Sequence, residues 1–296
     1  MSHYFRDRRE SGFGLIELMI AMTLGLLVLG AAIAIFQSNQ RTFNASEGQN
    51  RIQEGARVAY ELMSRDIRAA GGTSCSLLAR PDVEHAFTTD ETALLTTPVT
   101  GSGGNEITVV SGDDAAYQVV AATTTTVKLK APPDGQPGWK LSDAFKAGDK
   151  VILCNASQLY VVAVAAGGIN DTTSTLTFSP ATPVAIYNPD VSPVASVTAA
   201  RLRSNRWYLE GGALKVARNG GAGQEVIEGV TGLGFTYLRN GANAYVAAPA
   251  LWNDVTAVRM NLTLRGQKAT GGDLQIDGAN YITRTTSNVV SIRSRP

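Results

Sequence analysis

The sequence predicts an α+β fold, a long N-terminal α-helix whose second half packs on a mostly antiparallel β-sheet domain. Three observations predict it. Residues 13–36 form an apolar run in which only Glu17 and Thr23 carry polar side chains. No proline occurs from residue 13 to residue 70, and apolar residues recur at spacings of three and four in the second half of that stretch. After Gly71-Gly72 the pattern changes to short β-like runs between Gly, Pro, Asn and Asp clusters.

The elements follow in chain order. Residues 1–12 are a polar leader with Arg6, Arg8 and Arg9, and basic residues before an apolar span hold that side in the cytoplasm. Residues 13–36 would make a helix of roughly 36 Å, enough to cross a bilayer core of about 30 Å. A charge in hydrocarbon costs about 2.5–3.5 kcal/mol or more, so a plain anchor has no use for Glu17. A helix that meets a partner's cation inside the membrane does. Residues 37–72 continue the helix as an amphipathic segment. Ile52, Ala56, Ala59, Tyr60, Met63 and Ile67 form its apolar stripe, and Glu47–Arg51 and Glu61–Arg65 have i, i+4 spacing with the acid first. The stripe could be a subunit interface; packing on the β domain is the favoured reading. Gly71-Gly72 is the helix stop.

Residues 73–296 are expected to be a β-rich domain. Candidate strands are Glu106–Ser111, Tyr117–Ala122, Thr125–Lys130, Lys150–Cys154, Leu159–Ala165 and Thr173–Phe178. A Pro-rich passage from Pro180 to Pro193 links these to a hairpin in which Gly211-Gly212 joins 206–210 to 213–218. Further strands are expected at Glu225–Glu228, Leu233–Arg239, Val255–Arg265 and Ile282–Ile292. In the third of these, Arg259, Asn261, Thr263 and Arg265 alternate with Val258, Met260, Leu262 and Leu264, the period of a half-buried strand.

The run Ser11-Gly12-Phe13-Gly14-Leu15-Ile16-Glu17-Leu18-Met19-Ile20 resembles the class III signal of type IV pilins and type II secretion pseudopilins. The resemblance implies that a prepilin peptidase cuts after Gly12, on the cytoplasmic side, and that Phe13 becomes an N-methylated first residue. It further implies that Glu17 is the assembly carboxylate, pairing with the N-terminal ammonium of a neighbouring subunit. Residues 225–237, 255–262 and 147–153 resemble, more weakly, the PilW family of minor pilins. That family implies a bacterial inner-membrane protein with its N-terminus cytoplasmic and its C-terminal domain periplasmic, passing later into a pilus fibre or tip. The implied partners are other minor pilins and the major pilin through the N-terminal helix, the prepilin peptidase and N-methyltransferase, the inner-membrane assembly platform, and membrane lipid before assembly. The implied role is to prime pilus assembly, with effects on twitching motility and adhesion. Alternatives are a type II secretion minor pseudopilin at the pseudopilus tip and a tip adhesin or ligand-binding module. An ordinary secretory signal cut at Ala32-Ile33-Ala34, or a simple uncleaved anchor, is disfavoured because the apolar run is long and holds Glu17.

Composition narrows the chemistry. The 296 residues hold 26 basic and 25 acidic side chains; the leader takes three and two of these, leaving 23 of each, so no basic footprint for nucleic acid appears. Cys75 and Cys154 are the two cysteines, and in an oxidising compartment they read as a disulfide. Two buried thiols or a redox pair are the alternatives, the second weakened by the lack of C-x-x-C. His85 is the one histidine after the leader, so neither a zinc set nor a Ser-His-acid triad is supported. Asp113-Asp114 and Asn170-Asp171 could offer oxygens to calcium, but without an ordered loop spacing they read as solvated turn acids. Trp139, Trp207 and Trp252 could make an adhesive surface, though core positions are favoured. No cofactor, metal or catalytic residue is expected, and the chain is read as a non-enzyme.

Overall fold

The computed structural model describes residues 14–130, 138–179, 196–268 and 281–294. Two compact units emerge, Met1–Arg51 with Gly266–Thr283 and Ile52–Arg265 with Arg284–Pro296. Gly12, Phe13 and the Pro180–Pro193 passage lie outside the described residues.

Helix α1 spans Leu15–Ala69. In the first unit its side chains from Leu15 to Phe43 are exposed, among them the whole described apolar run. In the second unit the apolar stripe is core: Ile52, Ala56, Ala59, Met63 and Ile67 are buried, and Tyr60 donates from its hydroxyl to the Thr286 carbonyl at 2.6 Å. The subunit-interface reading of the stripe is therefore displaced by packing within the chain. The helix ends where Gly71 turns to φ +68°, and its last residues join the sheet: Gly71 N–H donates to Val110 O and Gly112 N–H to Gly72 O, both at 2.8 Å.

The β region begins with helix α2 (Thr89–Leu95) and strands β1 (Val99–Ser102), β2 (Glu106–Ala122) and β3 (Thr126–Leu129). Helix α3 (Leu141–Ala144) follows, then β4 (Lys150–Cys154), β5 (Leu159–Asn170), β6 (Thr175–Phe178), β7 (Thr198–Glu210), β8 (Ala213–Arg218) and β9 (Gly223–Glu228). The last three are β10 (Val230–Arg239), β11 (Val255–Lys268) and β12 (Tyr281–Ser291). The two expected strands 106–111 and 117–122 are one bent strand, because the register slips between Gly112 and Ala116 without breaking the ladder to β7. Gly211 and Gly212 both take positive φ, which the tight turn between β7 and β8 requires.

Two long strands, β2 and β7, each serve two layers. Their outer halves build an open antiparallel sheet in the order β1-β2-β7-β8-β9. Their other halves close a ring, β2-β3-β6-β5-β4-β7, in which each neighbouring pair is antiparallel. This six-stranded barrel is filled by alternate residues of its strands, including Val119, Leu129, Val151, Leu153, Tyr160, Val162 and Leu176. Leu141 and Phe145, at the two ends of α3, complete the filling. The opposite faces of β4 and β5 supply a second cluster, in which Ile152, Cys154, Leu159 and Val161 pack on Ala79, Leu94, Val110 and Leu202.

Closure leaves one stretch of β5 with an open edge, and residues 79–91 cover it. Leu159 N–H donates to Arg80 O, and Val161 N–H donates to Glu91 Oε1 at 3.0 Å. Glu91 is 1 % exposed and also accepts from Thr88 N–H and pairs with His85 Nε2, closing a capping box at the start of α2. The sequence signal for α2 was therefore present as Thr88-x-x-Glu91. Glu91→Ala strands buried donors on two elements, and a loss of about 3 kcal/mol is expected, measured by denaturant titration. Glu91→Gln, which keeps an acceptor, should lose less.

The second sheet has the order β10-β11-β12. Its Phe235, Tyr237, Val258, Met260 and Leu262 are buried. Tyr237 reaches Gly101 of β1, where a Cβ would collide with the phenol hydroxyl and lie 2.9 Å from Glu106 O. That glycine is what lets an aromatic side chain lie against the backbone of β1. Burial raises the Tyr237 phenol above its ordinary range.

Candidate functional site

The helix start carries the feature with the clearest functional bearing. Gly14 supplies the first carbonyl of the helix, accepting from Glu17 N–H at 3.0 Å and Leu18 N–H at 3.2 Å. Glu17 thus sits in the first turn, where a carboxylate is favoured by the helix dipole. The other polar side chain of the run, Thr23, is satisfied within the helix, its hydroxyl donating to Ile20 O at 2.9 Å. Glu17 is exposed, and among the described residues it has no ion-pair partner. The helix is long and apolar enough to cross a membrane. An unpaired carboxylate one turn into such a surface can accept a cation only from outside the described chain.

Cys75 and Cys154 form a disulfide. It joins the segment after the helix stop to β4, beside the Thr198 hydroxyl, which lies 3.0 Å from Cys75 Sγ. Cys154 is wholly buried in the second cluster.

Of the acids considered for calcium, Asp171 lies in an exposed turn as expected, whereas Asp113 and Asp114 lie within β2, Asp114 exposed and Asp113 partly buried. Asp113 lies at the irregularity in β2, with its side chain only 11 % exposed, and receives Arg201 at 2.8 Å and Arg203 at 2.6 Å. Asp114 pairs with Arg65 of α1. Arg65 therefore does not make the expected i, i+4 pair with Glu61; Glu47–Arg51 does form, at 3.2 Å on the surface. Asp171 accepts from the Ser142 N–H and hydroxyl, both at 2.8 Å. Among the described residues no acid or histidine cluster could hold a metal ion. Burial raises the Asp113 pKa, but the Arg201 hydrogen bond and the charges of Arg203 and Arg201 outweigh it, and the net shift is downward. A depressed folded pKa stabilises the fold above the unfolded value of about 3.9 and loses that contribution as pH falls through the folded value. Asp113→Asn should therefore be less stable than wild type at neutral pH and show a shallower decline below about pH 4 in denaturant titrations.

The tryptophans do not share a surface. Trp207 is buried and donates from Nε1 to Asp66 Oδ2 at 2.8 Å. Trp139 stacks on Tyr117 beside the barrel core, and Trp252 meets Tyr237 edge-on. Asp66, Arg201, Arg203 and Asn205 escaped the sequence reading. Their signal was the alternation of Arg201, Arg203, Asn205 and Trp207, hidden because the strand was expected to begin only at Arg206.

Residues 7–33 match the family described as the prokaryotic N-terminal methylation motif. No curated protein matches the chain significantly. Among solved structures, a type IV-like pilin from Thermus thermophilus is similar over 51 % of this chain and 87 % of its own, at 14 % identity and a TM-score of 0.25. The chain therefore carries an N-terminal methylation motif that runs into a long apolar helix.

Proposed function

We propose that this chain is a minor pilin, most like the PilW family, that helps prime assembly of a type IV pilus. In this reading prepilin peptidase cuts after Gly12, Phe13 becomes the methylated N-terminus, and residues 13–36 anchor the chain in the inner membrane before entering the fibre core. The domain from residue 73 onward lies in the periplasm, and the partners are other minor pilins, the major pilin and the assembly platform. One observation carries the reading: a methylation motif runs into a helix whose apolar surface is exposed and whose first turn holds Glu17, which has no ion-pair partner among the described residues. Bundling such helices buries the apolar surface, and pairing Glu17 with a neighbour's ammonium fixes the axial register.

The same helix would serve a type II secretion pseudopilin. Deleting the gene separates the two: a pilus role predicts fewer surface pili, restored by a plasmid copy, with protein secretion unchanged. Lost secretion with normal piliation would overturn the pilus reading.

A further inference from the structure

The chain contains Asn-Gly at Asn219-Gly220 and at Asn240-Gly241, each preceded by an arginine. A glycine places no side chain between its own backbone nitrogen and the amide carbon of the preceding asparagine, so the two atoms can meet within one molecule. How often they meet depends on how firmly the fold holds the asparagine side chain.

Both pairs lie in exposed turns, and at both glycines φ is positive and a Cβ would meet open space. Neither local sequence nor access by water separates them. Their hydrogen bonds do. Asn219 Oδ1 accepts from Ser204 N–H at 2.8 Å, and Asn219 N–H donates to Ser204 O at 2.7 Å, so side chain and backbone are both tied to β7. Asn240 follows the end of β10 and is tied through its backbone alone. Its N–H donates to Asp254 O at 2.8 Å, and Ala242 N–H donates to Arg239 O at 3.0 Å. Among the described residues the Asn240 side-chain amide and Gly241 N–H have no hydrogen-bond partner. The turn thus holds the two residues in place and leaves the reacting nitrogen and the reacting carbon free.

We propose that Asn240 is a site of self-modification, at which the side-chain amide is lost and the residue becomes aspartate or isoaspartate. Gly241 N gives up its proton and bonds to Asn240 Cγ; the bond to Nδ2 breaks and Nδ2 leaves as ammonia, closing a cyclic imide. Water then opens the ring. Addition at the side-chain carbonyl yields aspartate, and addition at the backbone carbonyl yields isoaspartate. Asn240 lines a cleft of about 330 Å³ in which Arg80 and Asp254 are the charged lining residues. The new carboxylate therefore turns a balanced lining into one with a net negative charge.

The test is peptide mass spectrometry of the full chain, kept folded in detergent micelles for days at neutral pH and then digested. The mass gain for NH2 replaced by OH should accumulate roughly fivefold faster at Asn240 than at Asn219, since freeing Asn219 Oδ1 breaks a hydrogen bond worth about 1 kcal/mol and a tenfold rate change is about 1.4 kcal/mol. The same incubation in denaturant removes the Ser204 contact, and there the two sites should react at equal rates. Asn240→Gln, at an exposed position and with a longer side chain that closes the ring poorly, should lose the gain at residue 240 and leave that at Asn219 unchanged. No gain at Asn240, equal gains at the two sites in the folded chain, or a preference for Asn240 that persists in denaturant would each overturn the proposal.

Discussion

Glu17→Ala is expected to leave membrane insertion and leader cleavage intact while reducing assembled surface fibres by at least tenfold, at about the level of a null strain. The reason lies in where the charges end. In the membrane, alanine removes a carboxylate that is unfavourable in hydrocarbon, so the unassembled subunit is if anything more comfortable. In the proposed bundle, a neighbour's N-terminal ammonium would lose its counter-charge, and a buried charge stripped of its partner costs about 3–5 kcal/mol. That penalty falls on assembly alone. Glu17→Gln tests the charge specifically, because it keeps the shape, and it should fail as alanine does. Fibre counts by electron microscopy, with immunoblots of membrane fractions to show insertion and cleavage, read both halves. A normal fibre count in either variant removes Glu17 from the assembly mechanism.

Removing the Cys75–Cys154 bridge should have the largest effect on the folded domain. The bridge spans a sequence separation of 79 residues. A loop of that size corresponds to about 4 kcal/mol of stabilisation in the chain-entropy model. That is a large share of the 5–15 kcal/mol typical of a native protein. Its position adds to the loss, because Cys154 is buried among Ala79, Leu94 and Leu159, and the bridge fixes the start of the segment that covers the open edge of β5. The double variant Cys75→Ser with Cys154→Ser should unfold at lower denaturant and become sensitive to proteases between residues 75 and 91. Equal stability of oxidised and reduced protein would show the bridge to be mechanically idle.

Local signals were legible in the sequence wherever one residue type settles one conformation. Gly71-Gly72 stops α1, Gly211-Gly212 turns between β7 and β8, and alternation marks β11. The barrel was not legible, because its closure depends on pairing Tyr117 with Ala199 and Gln118 with Thr198, residues some eighty positions apart, and no local pattern encodes that register. The single-turn helix α3 is too short for a periodic signal. Charge pairing was misjudged for a related reason. Arg65 has an acid at the right helical spacing, yet tertiary structure brings Asp114 closer, and Asp113 reads as a turn acid until β7 delivers Arg201 and Arg203 to it. For the candidate site, the apolar run and Glu17 were readable because a membrane helix tolerates few polar residues. The cleft lined by Asp66, Arg203 and Trp207 was not, since its residues come from α1, β2, β7, β8 and β9.

The central claim is that this chain is processed and assembled as a pilin. The most direct measurement is the mass of the N-terminal peptide of the protein recovered from membranes, with and without prepilin peptidase. The account predicts a chain beginning at N-methylated Phe13 that disappears when the peptidase is absent. A chain beginning after Ala34, or an intact Met1 in both strains, would contradict it.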